Sequence, residues 1–270
     1  MSKYAMLIDE TRCTGCRACQ VACKQWNDLP AEVTHNRGTY TNPPALSAKT
    51  WSLIEFQEIE NAGKVGFYFL KRACMHCEHP ACASVCPVGA FHKTAEGPVV
   101  YDDWKCIGCR YCMAACPFGI PTFDWGKGLI EQPLVRKCNF CIDRISNGLT
   151  PACAKTCPSK VITFGERDQL LALGKARIQQ NPERYVNRVY GETEAGGTSV
   201  LYLSSIPFEQ LGLPRLGSAP APLLSEQVMG YTLPFAAVWG TTLTGLALLF
   251  RLRNRGKKHP AAESEKETTP

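Results

Sequence analysis

Four cysteines fall within eleven residues at Cys106, Cys109, Cys112 and Cys116, in the stretch CIGCRYCMAACP. The spacing is C-x2-C-x2-C-x3-C-P. Three thiolates so placed can wrap one [4Fe–4S] cubane while the chain turns tightly, and the fourth leads away to reach a neighbouring cluster. Pro117 blocks continuation of any helix and removes a backbone donor. The same spacing recurs at Cys13, Cys16, Cys19 and Cys23, with Lys24 where the proline would stand. Another group has Cys74, Cys77, Cys82 and Cys86 before Pro87. The last opens at Cys138 and Cys141 and closes at Cys153, Cys157 and Pro158, with an eleven-residue insertion between its halves. Four groups of four use all sixteen cysteines, which predicts four [4Fe–4S] clusters and no spare thiol.

The spacing is the one by which bacterial ferredoxins hold their clusters. Disulfide frameworks belong to short secreted chains and do not end three times in Cys-Pro. Structural zinc accounts for paired C-x2-C units, but not for a third cysteine two residues further on, which occurs twice here. The glycine before the second cysteine and the arginine after it are shared by CTGCRAC and CIGCRYC, while PACASVCP and PACAKTCP share their ends. Duplication of a two-cluster unit is the economical reading.

At 270 residues and 45% hydrophobic content the chain can form one large domain or two small ones. Its net charge of +6 comes without a basic stripe, and its aromatics are scattered, so nucleic-acid binding is unsupported. Each cluster would tie together four chain positions, so the clusters should supply much of the folding energy. The apoprotein is expected to be largely unfolded.

The elements that position the cysteines can be read from the remaining segments. Tyr4 to Ile8 is an apolar run too short for a signal-peptide core, and it predicts a strand leading into the first cluster loop. Leu29 to Thr50 is polar, and its Asn-Pro-Pro predicts a surface loop. WSLIEF and VGFYFL flank ENAGK as a hairpin. After Pro158, VITFG predicts a short strand. Leu170, Leu171, Gly174 and Ile178 then fall at helical spacing before Asn181-Pro182 ends the helix. TSVLYLS predicts another strand, and Pro207 to Pro222 reads as a linker.

From Tyr231 to Phe250 no residue is charged. Twenty helical residues span about 30 Å, the hydrocarbon thickness of a bilayer. Pro234 falls in the first turn of such a helix, where it is tolerated. Arg251, Arg253, Arg255, Lys257 and Lys258 follow, a cytoplasmic stop by the positive-inside rule, and the last residues suggest a disordered tail. The cluster domain is then expected on the periplasmic side of the inner membrane, carried across with a signal-bearing partner. The expected division is 1–165 for the cluster domain, 166–230 for the helix, strand and linker packing on it, 231–252 for a transmembrane helix and 253–270 for the tail. The expected fold class is α+β, with two tandem ferredoxin-like 2[4Fe–4S] units, loop-rich insertions and the C-terminal transmembrane helix.

The chain resembles the iron–sulfur (beta) subunit of membrane-bound respiratory molybdenum or tungsten formate dehydrogenases. The resemblance is carried by IDETRCTGCRACQVACKQWND, YTNPPALSAKTW, CMHCEHPAC, CIGCRYCMAACPFGIP, KCNFCIDRISNGLTPACAKTCP, EAGGTSVLYL and the C-terminal span. Related subunits of sulfoxide, polysulfide, tetrathionate and nitrite reductases share the cysteine groups alone. The single span and the segment from Tyr40 to Trp51 favour the formate enzyme.

The resemblance implies that the first and fourth groups share one unit and the second and third the other. One cluster then takes Cys13, Cys16, Cys19 and Cys157, and its neighbour takes Cys23, Cys138, Cys141 and Cys153. A third takes Cys74, Cys77, Cys82 and Cys116, and the fourth Cys86, Cys106, Cys109 and Cys112. Lys24 leaves this ligand set intact and puts only the local turn in doubt. As implied, electrons pass from a formate-oxidising molybdopterin or tungstopterin (alpha) subunit through four one-electron centres to a cytochrome b-type (gamma) membrane subunit that reduces quinone.

No catalytic constellation is present in the sequence. His76 and His79 lie among the cysteines, but four thiolates already satisfy a cubane. Lys71, Arg72, Arg110, Arg136, Lys137 and Arg144 are cations near the clusters, candidates for raising their potentials electrostatically, although most are expected to be solvated or interface charges. Two rival readings stand beside the formate relay. The current could run the other way, to a terminal reductase, or the chain could be a metal-binding structural or assembly protein without electron transfer.

Overall fold

The computed structural model describes residues 3–61, 63–124 and 134–254. Along the chain the elements are β1 (Tyr4–Asp9), α1 (Ala18–Trp26), β2 (Leu53–Asn61), β3 (Lys64–Arg72), α2 (Ala81–Ser84), β4 (Phe91–Lys93), β5 (Val99–Tyr101) and α3 (Tyr111–Ala115). They continue as β6 (Thr122–Asp124), β7 (Leu134–Arg136), α4 (Ile142–Ser146), α5 (Ala152–Lys155), β8 (Ile162–Glu166), α6 (Arg167–Gln180), β9 (Val200–Leu203) and α7 (Leu223–Asn254).

The N-terminal apolar run becomes the central strand of a three-stranded sheet ordered β8-β1-β9. β1 pairs with β8 antiparallel, Met6 opposite Phe164, and with β9 parallel, Ile8 opposite Tyr202. A strand covered on both faces reads as a continuous apolar run, and the pleat sends alternate side chains to opposite sides. Ala5 and Leu7 face α6, packing with Leu170, Ile178, Leu201 and Leu203. Met6 and Ile8 face the cysteine loops, in a core with Cys19, Cys74, Cys153, Phe140 and Tyr202. Asp9 ends the strand fully buried, its carboxylate accepting from Arg177 at 2.9 Å and Tyr185 at 3.0 Å.

The WSLIEF and VGFYFL segments form the β2-β3 hairpin in continuous register from Leu53–Arg72 to Asn61–Lys64. β4-β5 and β6-β7 are short hairpins of three residues per strand. Residues 29–50 contain no helix or strand beyond one bridge between Ser47 and Thr50. The first half of Pro207–Pro222 is packed and does not behave as a linker, whereas residues 217–219 are exposed. Phe208, Leu211 and Leu213 are buried, and Tyr190 Oη donates to Pro214 O at 2.7 Å. Composition suggested a linker because prolines break regular structure, but they do not prevent burial of the apolar residues between them.

The described chain divides into two compact units, one through Leu223 and one from Leu224. Residues 166–223 lie in the first, with β9 bonded directly to β1. The second unit is α7, 32 residues with none buried, long and apolar enough to cross a membrane. It starts at Leu223, ahead of the uncharged stretch, so Pro234 lies inside the helix and not in its first turn. The polar turn around Glu226 extends the helix before the apolar segment begins. The expected tail from residue 255 on lies outside the described residues.

Candidate iron–sulfur cluster sites

Every cysteine group begins or resumes with C-x2-C, and in all four the residue before the second cysteine is left-handed. Gly15 has φ +65°, His76 +49°, Gly108 +70° and Phe140 +61°. Such a residue turns successive amides toward one point, a concavity suited to anions. Gly108 N–H donates to Cys106 Sγ at 3.4 Å, and Phe140 N–H to Cys138 Sγ at 3.3 Å. At the outgoing ends Ala90 N–H donates to Cys86 Sγ and Val161 N–H to Cys157 Sγ, each at 3.3 Å. Amide donors of this kind favour thiolate over thiol.

Glycine is demanded twice over at Gly15. Its φ is left-handed, and a Cβ would stand 2.8 Å from the Phe69 ring. Gly15→Ala is expected to cost about 2–4 kcal/mol from backbone strain and overpacking together. Gly63→Ala, at φ +75° with nothing within 4 Å, should cost only the backbone part. Thermal melts of the cluster-loaded protein check this, and equal losses at the two positions would contradict it.

All sixteen cysteines are free. Cys13, Cys16, Cys19 and Cys157 line one cavity together with Arg17, Ile54 and Lys71. Burial pushes the Cys13 thiol up to about 12, with Glu10, Cys157 and Cys16 adding to it. Burial also takes Cys23 up to about 12 against the pull of Lys71, with Cys153 and Cys141 beside it. Cys138 is raised by burial and by Cys23. Cys77 is raised by burial and then by Cys74, Cys116 and Cys82. Cys112 reaches about 11 through burial and then Cys106, Cys109 and Cys86. Thiols gathered and buried in this way are costly as anions unless positive charge sits among them, and iron supplies it.

Among the described residues, no three acid, histidine or cysteine side chains converge closely enough to hold a single metal ion. A tetrahedral zinc needs all its ligands on one point.

Local sequence explains the one departure among the loops. α3 ends at Ala115, just before Cys116-Pro117, whereas α1 runs through Cys23 and Lys24 to Trp26. Without a proline the helix continues, and Lys24 takes a new task. Its ammonium donates to Pro30 O at 2.9 Å and Lys49 O at 2.8 Å, pinning both ends of the 29–50 loop.

The expectation that most nearby cations are solvated fails at three of the six. Lys71 is 4% exposed, Lys137 6% and Arg144 7%. Lys137 donates to Val99 O and to Cys138 O, and Arg144 donates to Thr150 O at 2.7 Å while stacking on Trp26. Arg72 forms a bidentate pair with Glu55, Arg136 pairs with Asp103, and Arg110 is exposed. His79 is exposed and His76 is fully buried. His76 Nδ1 accepts from Val99 N–H at 3.0 Å, so its proton sits on Nε2, a donor and not a ligand atom. Burial, then Lys137, Lys93 and Lys71, hold it neutral, well below the usual histidine value.

Glu10 was not singled out by its position in the sequence. It is buried beside Asp9 and Cys13, and burial raises its carboxyl to about 8. The folded chain therefore keeps a proton that the unfolded chain releases near 4.5. That contribution is complete below about 4.5 and is lost as pH rises through about 8. Glu10→Gln cannot ionise, and its Tm is expected to fall less steeply than that of the parent between about pH 5 and 8. Parallel Tm curves for the two proteins would contradict this.

Comparison with known proteins agrees with the geometry. Models described as 4Fe-4S dicluster domain match residues 65–167 and 12–90. The chain is 44% identical over 205 residues to the nitrate-inducible formate dehydrogenase iron-sulfur subunit of Escherichia coli K12, covering 75% of this chain and 68% of that one. It is 41% identical over 257 residues to the formate dehydrogenase-O iron-sulfur subunit of the same organism, covering 92% and 82%. The chain belongs to the family of formate dehydrogenase iron–sulfur subunits. Hydrogenase-2 operon protein HybA of Escherichia coli O157:H7 is similar at 32% identity, over 96% of this chain and 87% of that one. A subunit of this family carries electrons through [4Fe–4S] clusters and is not catalytic by itself; two dicluster domains and sixteen cysteines fit four clusters.

Proposed function

We propose that this subunit relays electrons from a formate-oxidising catalytic subunit with a molybdopterin or tungstopterin centre to a cytochrome b-type membrane subunit that reduces quinone. The observation that carries the reading is that all sixteen cysteines are unpaired and that each of the four C-x2-C pairs sits on a left-handed turn, in a chain of this family. The clusters supply reversible one-electron transfer when bound. The residues of the chain hold them, shield them behind the β1 sheet and direct backbone amides at their sulfurs.

The proposed ligand sets are Cys13, Cys16, Cys19 and Cys157; Cys23, Cys138, Cys141 and Cys153; Cys74, Cys77, Cys82 and Cys116; and Cys86, Cys106, Cys109 and Cys112. These make two tandem ferredoxin-like units. The cavity bounded by the first set and the packing of α1 on α5 and of α2 on α3 support this division.

α7 is proposed as a single span of the inner membrane, with Arg251 and Arg253 and the basic residues after them on the cytoplasmic side and the clusters in the periplasm. Protease added to spheroplasts should digest the cluster unit and spare the tail. The reverse pattern would overturn this orientation. For the function itself, the intact membrane complex should reduce quinone with formate. A complex that reduces quinone with hydrogen and not with formate would overturn that choice of donor and favour the relation to HybA.

A further inference from the structure

Lys71 is held in an unusual setting for an ammonium. Its backbone N–H donates to Glu10 Oε1 at 3.1 Å, and its carbonyl accepts from Tyr202 Oη at 2.7 Å, which fixes the strand. The side chain lines the cavity of Cys13, Cys16, Cys19 and Cys157. Cys153, Cys19, Tyr202 and Cys138 are the groups around its ammonium. Cys23 feels the same charge. Among the described residues no carboxylate lies within ion-pair distance of Lys71, although Lys24, Arg72, Lys93, Lys105 and Arg177 all have one. A buried charge left without a partner costs several kcal/mol. Beyond Glu10, the groups near enough to balance it are sulfurs of two sets, Cys19 of the first and Cys153 and Cys138 of the second.

The internal repeat shows what stands in the corresponding place elsewhere. β3 and β7 each run out of a hairpin into a loop, Arg72-Ala73-Cys74-Met75-His76-Cys77 in one case and Arg136-Lys137-Cys138-Asn139-Phe140-Cys141 in the other. His76 and Phe140 occupy the same left-handed position, and their rings meet at 4.7 Å. This register makes Val135 the counterpart of Lys71. Val135 is 1% exposed and packs with Cys82 and Cys112, the counterparts of Cys153 and Cys19. Lys137 aligns with Ala73 and is hydrogen-bonded to carbonyl oxygens.

We propose that Lys71 is a built-in counter-charge shared by two clusters, the one held by Cys13, Cys16, Cys19 and Cys157 and the one held by Cys23, Cys138, Cys141 and Cys153. It raises the reduction potential of both; the other pair has Val135 at that place, and the cation beside it is Lys137, near Cys82 and bonded to carbonyl oxygens. A cubane with four thiolates gains one negative charge on reduction, and a fixed cation beside it favours that gain. Lys71 acts on electrons only through the clusters, so the proposal rests on the cluster reading above.

The test is a redox titration followed by low-temperature EPR, with iron counted, on the membrane complex carrying wild-type chain or Lys71→Met. Two of the four clusters should become harder to reduce by at least about tenfold, or about 59 mV for one electron, and the other two should stay in place. No shift, or an equal shift in all four at full iron content, would overturn the proposal. Iron far below sixteen atoms in the wild type would overturn the cluster reading instead. Where Lys71→Met loads less iron than wild type, Lys71→Arg decides. Full iron and wild-type potentials with arginine uphold a role for the charge, and the same loss of iron with arginine shows that only side-chain shape matters.

Discussion

Stripping iron by oxidation and chelation is expected to abolish the cooperative melt of the unit that ends at Leu223 and to remove most of its regular structure. The helices that carry cysteines are short, nine residues in α1, five in α3 and four each in α2 and α5. Isolated helices of such length do not persist in water. β4, β5, β6 and β7 have three residues each and are equally dependent on their surroundings. Cysteines also form part of the core itself, since Cys19, Cys74 and Cys153 pack with Met6, Ile8 and Phe140. Structural metal sites contribute on the order of 10 kcal/mol each, comparable to the whole net stability of a domain. Circular dichroism of the iron-free protein checks this. A native-like sigmoidal melt would show that the apolar sheet under α6 suffices, and would refute the dependence.

The second large effect concerns which cysteines act together. Cys116→Ala is expected to remove one whole cluster, about a quarter of the iron, and to stop delivery of electrons to quinone while dye reduction at the catalytic partner continues. Centres arranged in series leave no parallel route, so the loss should be near complete. The pairing is tested by combining substitutions. Residues of one set should be non-additive, so Cys74→Ala with Cys116→Ala should lose no more iron than either alone. Cys106→Ala with Cys116→Ala should lose twice as much. The opposite result would place Cys116 with its sequence neighbours.

Much of the site was legible because cluster chemistry fixes spacing tightly. All four cysteine groups, and the glycines at Gly15 and Gly108, could be read directly. The β1 and β2-β3 strands and α6 were legible for a different reason, since burial on one or two faces imposes a period. The burial of Lys71, Lys137 and Glu10 was not, because nothing in a local window distinguishes a lysine that leans into a sulfur-lined cavity from one in solvent. That depends on packing between segments far apart, such as Lys71 against Cys153 and Tyr202. The packed stretch around Phe208 and Leu211 was misread for the same reason. The early start of α7 shows that propensity can carry a helix beyond its apolar part.

The placement of β1 has a consequence for biosynthesis. Its two hydrogen-bonded neighbours are residues 162–166 and 200–203, so β1 finds no partner until synthesis has passed β8. At about 5–20 residues per second that interval is on the order of ten seconds or more. Through it, thiols from Cys13 to Cys23 wait exposed to oxygen and stray metals, because the two proposed sets that include them close only with Cys153 and Cys157, whereas the sets between Cys74 and Cys116 can fill earlier.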